Sequence, residues 1–371
     1  MTSLLLSFAI ALLAEGNPGT AIDLNNEAAR LFQQARYAES EKLYRQALDS
    51  APAAATRATT LGNLAILLRI TGRYTEAEKI LTSLLDQQTE PVAIVRTLQS
   101  LAIVNQARGD LVRAEAFALR AQQVVAANPD LNTQERVNLN LLLAAIHIDR
   151  KRYSDAEPLL QAVLPSARGS IAVSAHNSLA AIGIASGDHT AAERHARIAL
   201  EQAPAANPIT AMILNNLAQA CRFQEKYLEA ETYYRRAIEI WESVAGPSHP
   251  DLAKGLMNLA AFYHDRGREA GAEDLYRRAG AIFDRAFGPD SQLALVSRAE
   301  LADVLRAQRR YAESERTGRA AIAAMEKSLP SSDPRLIRAL GHRARLLAET
   351  KHPEEAAALL EKLRSVSQSF R

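Results

Sequence analysis

The sequence predicts an all-α solenoid of about nine stacked helix pairs, and three observations lead there. The first is a period. Asn215-Asn216-Leu217-Ala218, Met257-Asn258-Leu259-Ala260 and Ala299-Glu300-Leu301-Ala302 state one pattern three times. In step with it, a small residue followed by Glu recurs at Ala230, Ala272 and Ser314, 42 residues apart each time. The second is composition: 48% of the 371 residues are hydrophobic but only 5% aromatic, which suits close helix–helix contact better than thick sheets. The third is spacing within each unit. Apolar or small residues fall four and seven after the marker, on one helical face, as in Tyr44/Ala47, Tyr234/Ala237 and Tyr276/Ala279. A unit of this size cannot bury its apolar face alone, so neighbours stack into one continuous core.

The chain begins with an apolar run over residues 1–14, bounded by Glu15-Gly-Asn-Pro-Gly, with Ala14 as a small residue at a cleavage point. This predicts an export signal within residues 1–20, although no Lys or Arg precedes the run. The alternative is an apolar helix packed on the first repeat, since the run is too short to span a membrane. From there the marker falls at Ser40, Ala77, Ala114, Ala156, Ala192, Ala230, Ala272, Ser314 and Ala356, where Ala357 replaces the Glu. The spacings are 37, 37, 42, 36, 38, 42, 42 and 42. Repeats one to five thus fill residues 21–205, and repeats six to nine continue the array through 206–371. Six first helices carry a Leu-Ala step ending twelve residues before the marker: Leu64-Ala65, Leu101-Ala102, Leu179-Ala180, Leu217-Ala218, Leu259-Ala260 and Leu301-Ala302. A turn follows, often with Gly, as at Gly72, Gly109, Gly187 and Gly267, and then the second helix. In the longer repeats Gly246-Pro247 and Gly288-Pro289 stop the helix, and Ser248, Asp290 and the run Ser331-Ser-Asp333-Pro334 offer the next start.

The small–Glu marker, the Gly turn and the Tyr–Ala pair resemble the tetratricopeptide repeat family over nearly the whole chain. The family's basic unit is about 34 residues. The longer C-terminal unit, including the run from Tyr233 to Pro250 around Trp241, resembles the kinesin-light-chain-like subgroup. Eight extra residues are about two helical turns, expected to lengthen the helices on either side of the connecting turn. The resemblance implies a right-handed superhelix whose first helices line a concave groove holding extended peptides or partner helices. HEAT and armadillo repeats share this period range and are the rival fold.

Motifs for catalysis are missing: no Gly-rich phosphate loop, no His-Glu-x-x-His, no nucleophile elbow and no Cys pair. This predicts a chain that is not an enzyme, without cofactor, metal or small-molecule substrate. His189 and His195 lie six apart, share no helical face and read as solvent residues rather than metal ligands. The Glu after each marker (Glu41, Glu78, Glu115 and their equivalents) recurs once per repeat, which points to structure rather than acid–base work. Cys221, the only cysteine, reads as buried packing.

The candidate groove row lies fourteen residues before each marker: Asn26, Asn63, Ser100, Leu142, Ser178, Asn216, Asn258, Glu300 and His342. An amide there both donates to and accepts from a peptide backbone without reading its side chains. The expected partner-binding residues are Asn215, Asn216, Gln219, Arg222, Lys254, Asn258, His264, Arg306 and Arg338. A full set of two Lys, two Asn and an Arg in successive repeats, which the family's carboxylate-clamp members carry, is not found. From Leu295 to Lys351 there are 12 Lys/Arg against 7 Asp/Glu, which predicts an acidic peptide partner more than nucleic acid, given the scarcity of aromatics for stacking. Leu141 to Ile148 makes the fourth first helix apolar nearly all round, either as a hydrophobic floor under Leu142 and Ala145 or where neighbouring turns press together. The reading is a protein-interaction scaffold. The alternative is a self-associating assembly protein, with Leu359, Leu360 and Leu363 packing on a second copy.

Overall fold

The computed structural model describes residues 20–34, 36–50, 53–131, 133–350 and 352–368. The apolar run at 1–14 lies outside them. They form eighteen α-helices and one π-helical turn, with no strand among the described residues. First helices are α1 (Ala21–Gln33), α3 (Ala54–Ile70), α5 (Pro91–Arg108), α7 (Thr133–Asp149), α9 (Ser170–Ser186), α11 (Pro208–Phe223), α13 (Pro250–Asp265), α15 (Gln292–Ala307) and α17 (Pro334–Glu349). Second helices are α2 (Tyr37–Asp49), α4 (Tyr74–Leu85), α6 (Leu111–Ala127), α8 (Tyr153–Val163), α10 (His189–Gln202), α12 (Tyr227–Ile240), α14 (Glu269–Phe287), α16 (Tyr311–Ser328) and α18 (Pro353–Gln368). The chain divides into two compact units, residues 1–182 and 183–371. None of the described helices is long and apolar enough to cross a membrane.

The marker is where the two helices of a pair cross. Ser40, Ala77, Ala114, Ala156, Ala192, Ala230, Ala272, Ser314 and Ala356 are all buried. Where the marker is Ser, its hydroxyl is satisfied by the carbonyl of the alanine twelve residues earlier: Ser40 Oγ donates to Ala28 at 2.7 Å and Ser314 Oγ to Ala302 at 2.7 Å. Leucines fill the space between pairs, with Leu64, Leu67, Leu68, Leu98 and Leu101 in one core cluster and Leu295, Met325, Leu336 and Leu340 in another. The turn between helices of a pair needs one left-handed residue. Gly72 and Gly109 take it at φ 79° and 89°, and Lys151, Glu225 and Arg309 carry it at about 60° where Gly is absent.

Repeat length is set by the second helix alone. Those with 11 to 14 residues (α2, α4, α8, α10) precede marker spacings of 36 to 38. Those with 17 to 19 (α6, α14, α16, and α12 continued by the π turn Trp241–Ala245) precede spacings of 42. First helices stay near 16 to 18 residues from α3 onward, so the expectation that both helices grow is corrected. The stops at Gly246 and Gly288 hold, with φ 87° at each, and Asp333 caps α17. Two starts shift by one residue: the N-caps are His249 and Ser291, not Ser248 and Asp290.

The regular row of glutamates is structural. Five pair with the basic residue that precedes the next second helix: Glu41 with Arg73, Glu115 with Arg152, Glu193 with Lys226, Glu231 with Arg268 and Glu273 with Arg310, all at 2.6–2.8 Å, whereas Glu78 takes Arg108 and Arg113. Glu115, Glu193 and Glu273 are buried while their cations reach solvent, and the pairs recur at successive joints, where they fix register.

Close packing also sets a limit. A Cβ on Gly183, near the end of α9, would lie 2.9 Å from the Asp188 carbonyl and about 3 Å from backbone atoms of Ala192. Backbone cannot move aside as a side chain can. Gly183→Ala is therefore expected to lower stability by about 1–3 kcal/mol despite the better helix propensity of Ala. Thermal unfolding followed by circular dichroism checks this, and an unchanged or raised Tm would show that α10 shifts freely.

Candidate partner-binding face

The first helices present successive polar rungs. One rung joins the residue fifteen before a marker to the residue fourteen before the next. Asn63 Nδ2 donates to Asn25 at 3.0 Å, and Asn258 Nδ2 donates to Asn215 at 3.0 Å. Gln99 holds the same place in α5 but faces a repeat with Leu142 at the partner position, and its fully buried amide lacks a hydrogen bond among the described residues. A second rung joins the residue eight before a marker to the residue seven before the next. Gln106 meets Asp149 at 2.8 Å, Arg222 meets Asp265, and Arg306 meets Glu349 at 2.5 Å.

The residues expected to bind a partner are largely occupied by these rungs. Asn216 is only 8% exposed, whereas Asn215, Gln219 and Asn258 are partly buried. Lys254 Nζ reaches Asp251 at 2.6 Å, and Arg338 stands 71% exposed, 3.6 Å from Glu300. The basic excess between residues 295 and 351 is answered in the same way: Arg298 by Asp284, Arg310 by Glu273, Arg335 by Asp333 and Arg345 by Asp303. A nucleic-acid backbone would have to displace these carboxylates.

His264 and Arg306 belong to a junction that sequence reasoning missed. Asp303 in α15, 3% exposed, accepts from Arg306 Nε at 2.7 Å and faces His264 Nε2 of α13 at 3.3 Å. From α17, His342 Nδ1 lies 3.0 Å from it and Arg345 3.4 Å. His264 Nδ1 also meets Glu269 at 2.6 Å. The hydrogen bond to Asp303 raises His264 to about 9, against burial, with Glu269 adding to it. Burial would lower His342, but Asp303 and Glu300 raise it overall. Burial opposes ionisation of Asp303, yet the two histidines and Arg306 hold it well below the usual carboxylate range. Spacings of 39 residues on either side of Asp303 are the only trace of this junction in the sequence.

In the first unit the face opens into a hollow of about 710 Å³ over α3, α5 and α7. Polar groups from Thr59, Asn63, Ser100, Gln134 and Asn138 line it beside apolar Ala58, Ile66, Leu84 and Val92. Arg96 bridges it to the buried Glu135 at 2.6 Å. Asn63 and Ser100 of the expected groove row therefore lie on a real concavity. Leu142 and Ala145 do not: both are fully buried, so neighbouring turns press together there.

His195 is 8% exposed and His189 stacks on Phe223 at 4.4 Å, so neither is the solvent residue expected, because α10 turns both toward neighbouring helices. Cys221 is fully buried, with burial pushing its thiol up to about 11. It lies near Glu193 and Glu229, but Lys226, Arg197 and Gln224 already bond Glu193 and, against burial, bring it to about 2. Leu359 and Leu363 pack inward on the cluster around Met325 and Leu336, and of the three leucines offered for self-association only Leu360 is exposed.

Tetratricopeptide repeat models match residues 57–83 and, in overlapping tandem, 170–243, 209–285 and 251–327. The chain is a tetratricopeptide repeat protein. Solved structures of similar fold include the quorum sensor NprR from B. thuringiensis, at 14% identity over 82% of this chain and 88% of that one, with a TM-score of 0.65. A Rap protein complexed with Competence and Sporulation Factor matches at 14% identity over 94% and 98%, with a TM-score of 0.59. TPR-like repeats of a protein described as a kinesin light chain from Podospora anserina match at 20% identity over 53% and 95%, with a TM-score of 0.44. No curated protein matches.

Proposed function

We propose that this tetratricopeptide repeat protein is a non-enzymatic scaffold that holds an extended segment of a partner protein against its first-helix face. The seat is the hollow over α3, α5 and α7. The observation that carries this reading is the hollow itself: about 710 Å³, within the range of ligand-binding clefts, with amides and hydroxyls set among apolar side chains. The Thr59 and Ser100 hydroxyls already donate to helix carbonyls, so their oxygens are left to accept from a peptide backbone, with room for its side chains. The Rap protein solved with Competence and Sporulation Factor supports a factor-holding role for this fold. The apolar run at 1–14 supports export as the setting.

A second reading places the segment on α11 and α13, at the Asn215–Asn258 rung with Gln219 and Arg222 beside it. A photo-crosslinking residue at position 59, in the hollow, and another at Leu228, which is 86% exposed on α12, distinguish the possibilities. The full chain carrying either is exposed to the host's extract, and adducts are mapped by mass spectrometry. One defined partner segment crosslinked from 59 and not from 228 is the expected result. Equal, unspecific labelling from both positions overturns the hollow, and capture lost only with Asn215→Ala/Asn258→Ala moves the site to the second unit.

A further inference from the structure

The hollow over α3, α5 and α7 holds a buried carboxylate that the repeat does not call for. Glu135, in the first turn of α7, is 2% exposed. Arg96 of α5 meets it, donating from both Nε and Nη2 to the one oxygen Oε1, at 2.9 and 2.6 Å. The Arg96 side chain is itself 61% exposed. The same two positions hold Thr59 and Ala93 one repeat earlier and Asn138 and Ile171 one repeat later, so stacking of first helices does not need the pair. A buried carboxylate requires a counter-charge. Here that counter-charge comes from a solvent-exposed side chain able to swing aside.

The rest of the lining points to the same kind of ligand. Several of its donors are engaged within the protein. Thr59 Oγ1 donates to the Ala55 carbonyl, Ser100 Oγ to that of Arg96, and Gln134 Nε2 to Asn138. What Thr59, Ser100 and Gln134 keep is oxygen that accepts. Gln88 Oε1 is buried in the same wall without a hydrogen bond among the described residues. Of the charged side chains lining the hollow, Glu90 and Glu135 are acidic and Arg96 alone is basic. Glu90 is exposed and pairs with no cation among the described residues. A lining rich in acceptors and net negative suits a ligand that is positive and rich in donors.

We propose that the hollow takes a basic side chain of the partner segment, Lys or Arg, which binds Glu135 in place of Arg96. The proposal rests on the reading that this face holds a partner segment, and it specifies that segment's charge. Arg96 keeps Glu135 paired in the unliganded protein and moves into solvent as the ligand enters. Hydrogen bonds from a charged donor to a carboxylate are short and strong, and more so where water is excluded. The sign is opposite to that of the acidic partner expected from the basic excess between residues 295 and 351, much of which carboxylates of the second unit already answer.

The test uses fluorescence anisotropy with the full chain and four hexapeptide pools, labelled at one end and amidated at the other. One central position is fixed as Arg, Lys, Gln or Glu, and the others are randomised among uncharged residues. Saturable binding of the Arg or Lys pool is expected, about tenfold or more tighter than that of the Gln and Glu pools. Preference for Arg over Lys assigns a guanidinium, and equal binding assigns either cation. Glu135→Gln should remove the preference for basic pools. Arg96→Gln should strengthen their binding by roughly threefold or more, because the ligand then has no competitor for Glu135. Opposite effects from the two halves of one ion pair mark a ligand site, and weakening by both marks a purely structural pair and overturns the proposal. If Glu135→Gln loses helicity, Arg96→Gln and Glu90→Gln decide, the latter weakening the basic pools from an exposed position. Equal binding of the Glu pool, a preference that survives Glu135→Gln, or no binding by any pool would also sink the idea. A partner segment crosslinked from position 59 with undiminished yield in Glu135→Gln overturns this chemistry and leaves the scaffold reading standing. No specific crosslinking from position 59 in the wild type removes both.

Discussion

Asp303→Asn is expected to destabilise the unit formed by residues 183–371 by about 3–5 kcal/mol near neutral pH. The substitution keeps the shape and removes the charge. Asp303 is 3% exposed and is the common partner of His264, His342, Arg306 and Arg345, contributed by three first helices. Without the carboxylate, those cations lose their shared partner, and only Glu269, Glu300 and Glu349 at the edges of the junction still answer them. The outcome is worse than the loss of a contact, because partly buried positive charge is left under-compensated. The single tryptophan, Trp241, lies in this unit, so its fluorescence reports the transition in urea. A fall in midpoint of roughly 1–3 M is expected at ordinary urea sensitivities. A shift of a few tenths would show that the junction is a solvated cluster with no structural weight.

The same junction makes the unit sensitive to alkali. His264 is raised from 6.5 to about 9, so its folded form binds a proton that the unfolded chain has released. The stabilisation is fully present below about pH 6.5 and is lost as pH rises through about 9. A shift of this size corresponds to about 3 kcal/mol across that window. His342, also raised, adds loss of the same sign. Glu269, Glu300 and Asp303 favour the protonated rings, and Arg306, Arg338 and Arg345 oppose them. Urea midpoints measured from pH 6 to pH 9.5 should decline through this range. In Asp303→Asn the decline should flatten, since the main partner of both histidines is gone. A flat wild-type profile would mean that neither ring is charged in the folded unit.

Much of this protein was legible in the chain. The marker had to be small because two helices cross there, and crossing distance is a local property that recurs at every joint. The glutamate after it was legible as structural for a similar reason: one per repeat, facing the next turn. Helix stops at Gly246 and Gly288 follow from backbone preference alone. The starts were off by one: His249 caps α13 through its ring nitrogen, which accepts from the Asp251 amide, and Ser291 occupies the N-cap of α15 by backbone conformation alone, with no side-chain cap bond.

Sequence by itself thus determined the all-α class, the nine helix pairs, their order and the face that carries polar groups. Only the tertiary structure decided which of those groups are buried or paired. Asn216 looked available because a periodic count gives the side of a helix, but its depth is set by what the next helix places over it. Arg222 and Arg306 looked like ligand-binding cations until Asp265 and Glu349, about 43 residues on, were brought against them. Asp303 became a junction because three first helices converge on one carboxylate. Arg69 differs, since Ala107 stands where Asp149, Asp265 and Glu349 answer Gln106, Arg222 and Arg306. Burial and pairing are properties of neighbours distant in sequence, so they appear only once the helices are packed.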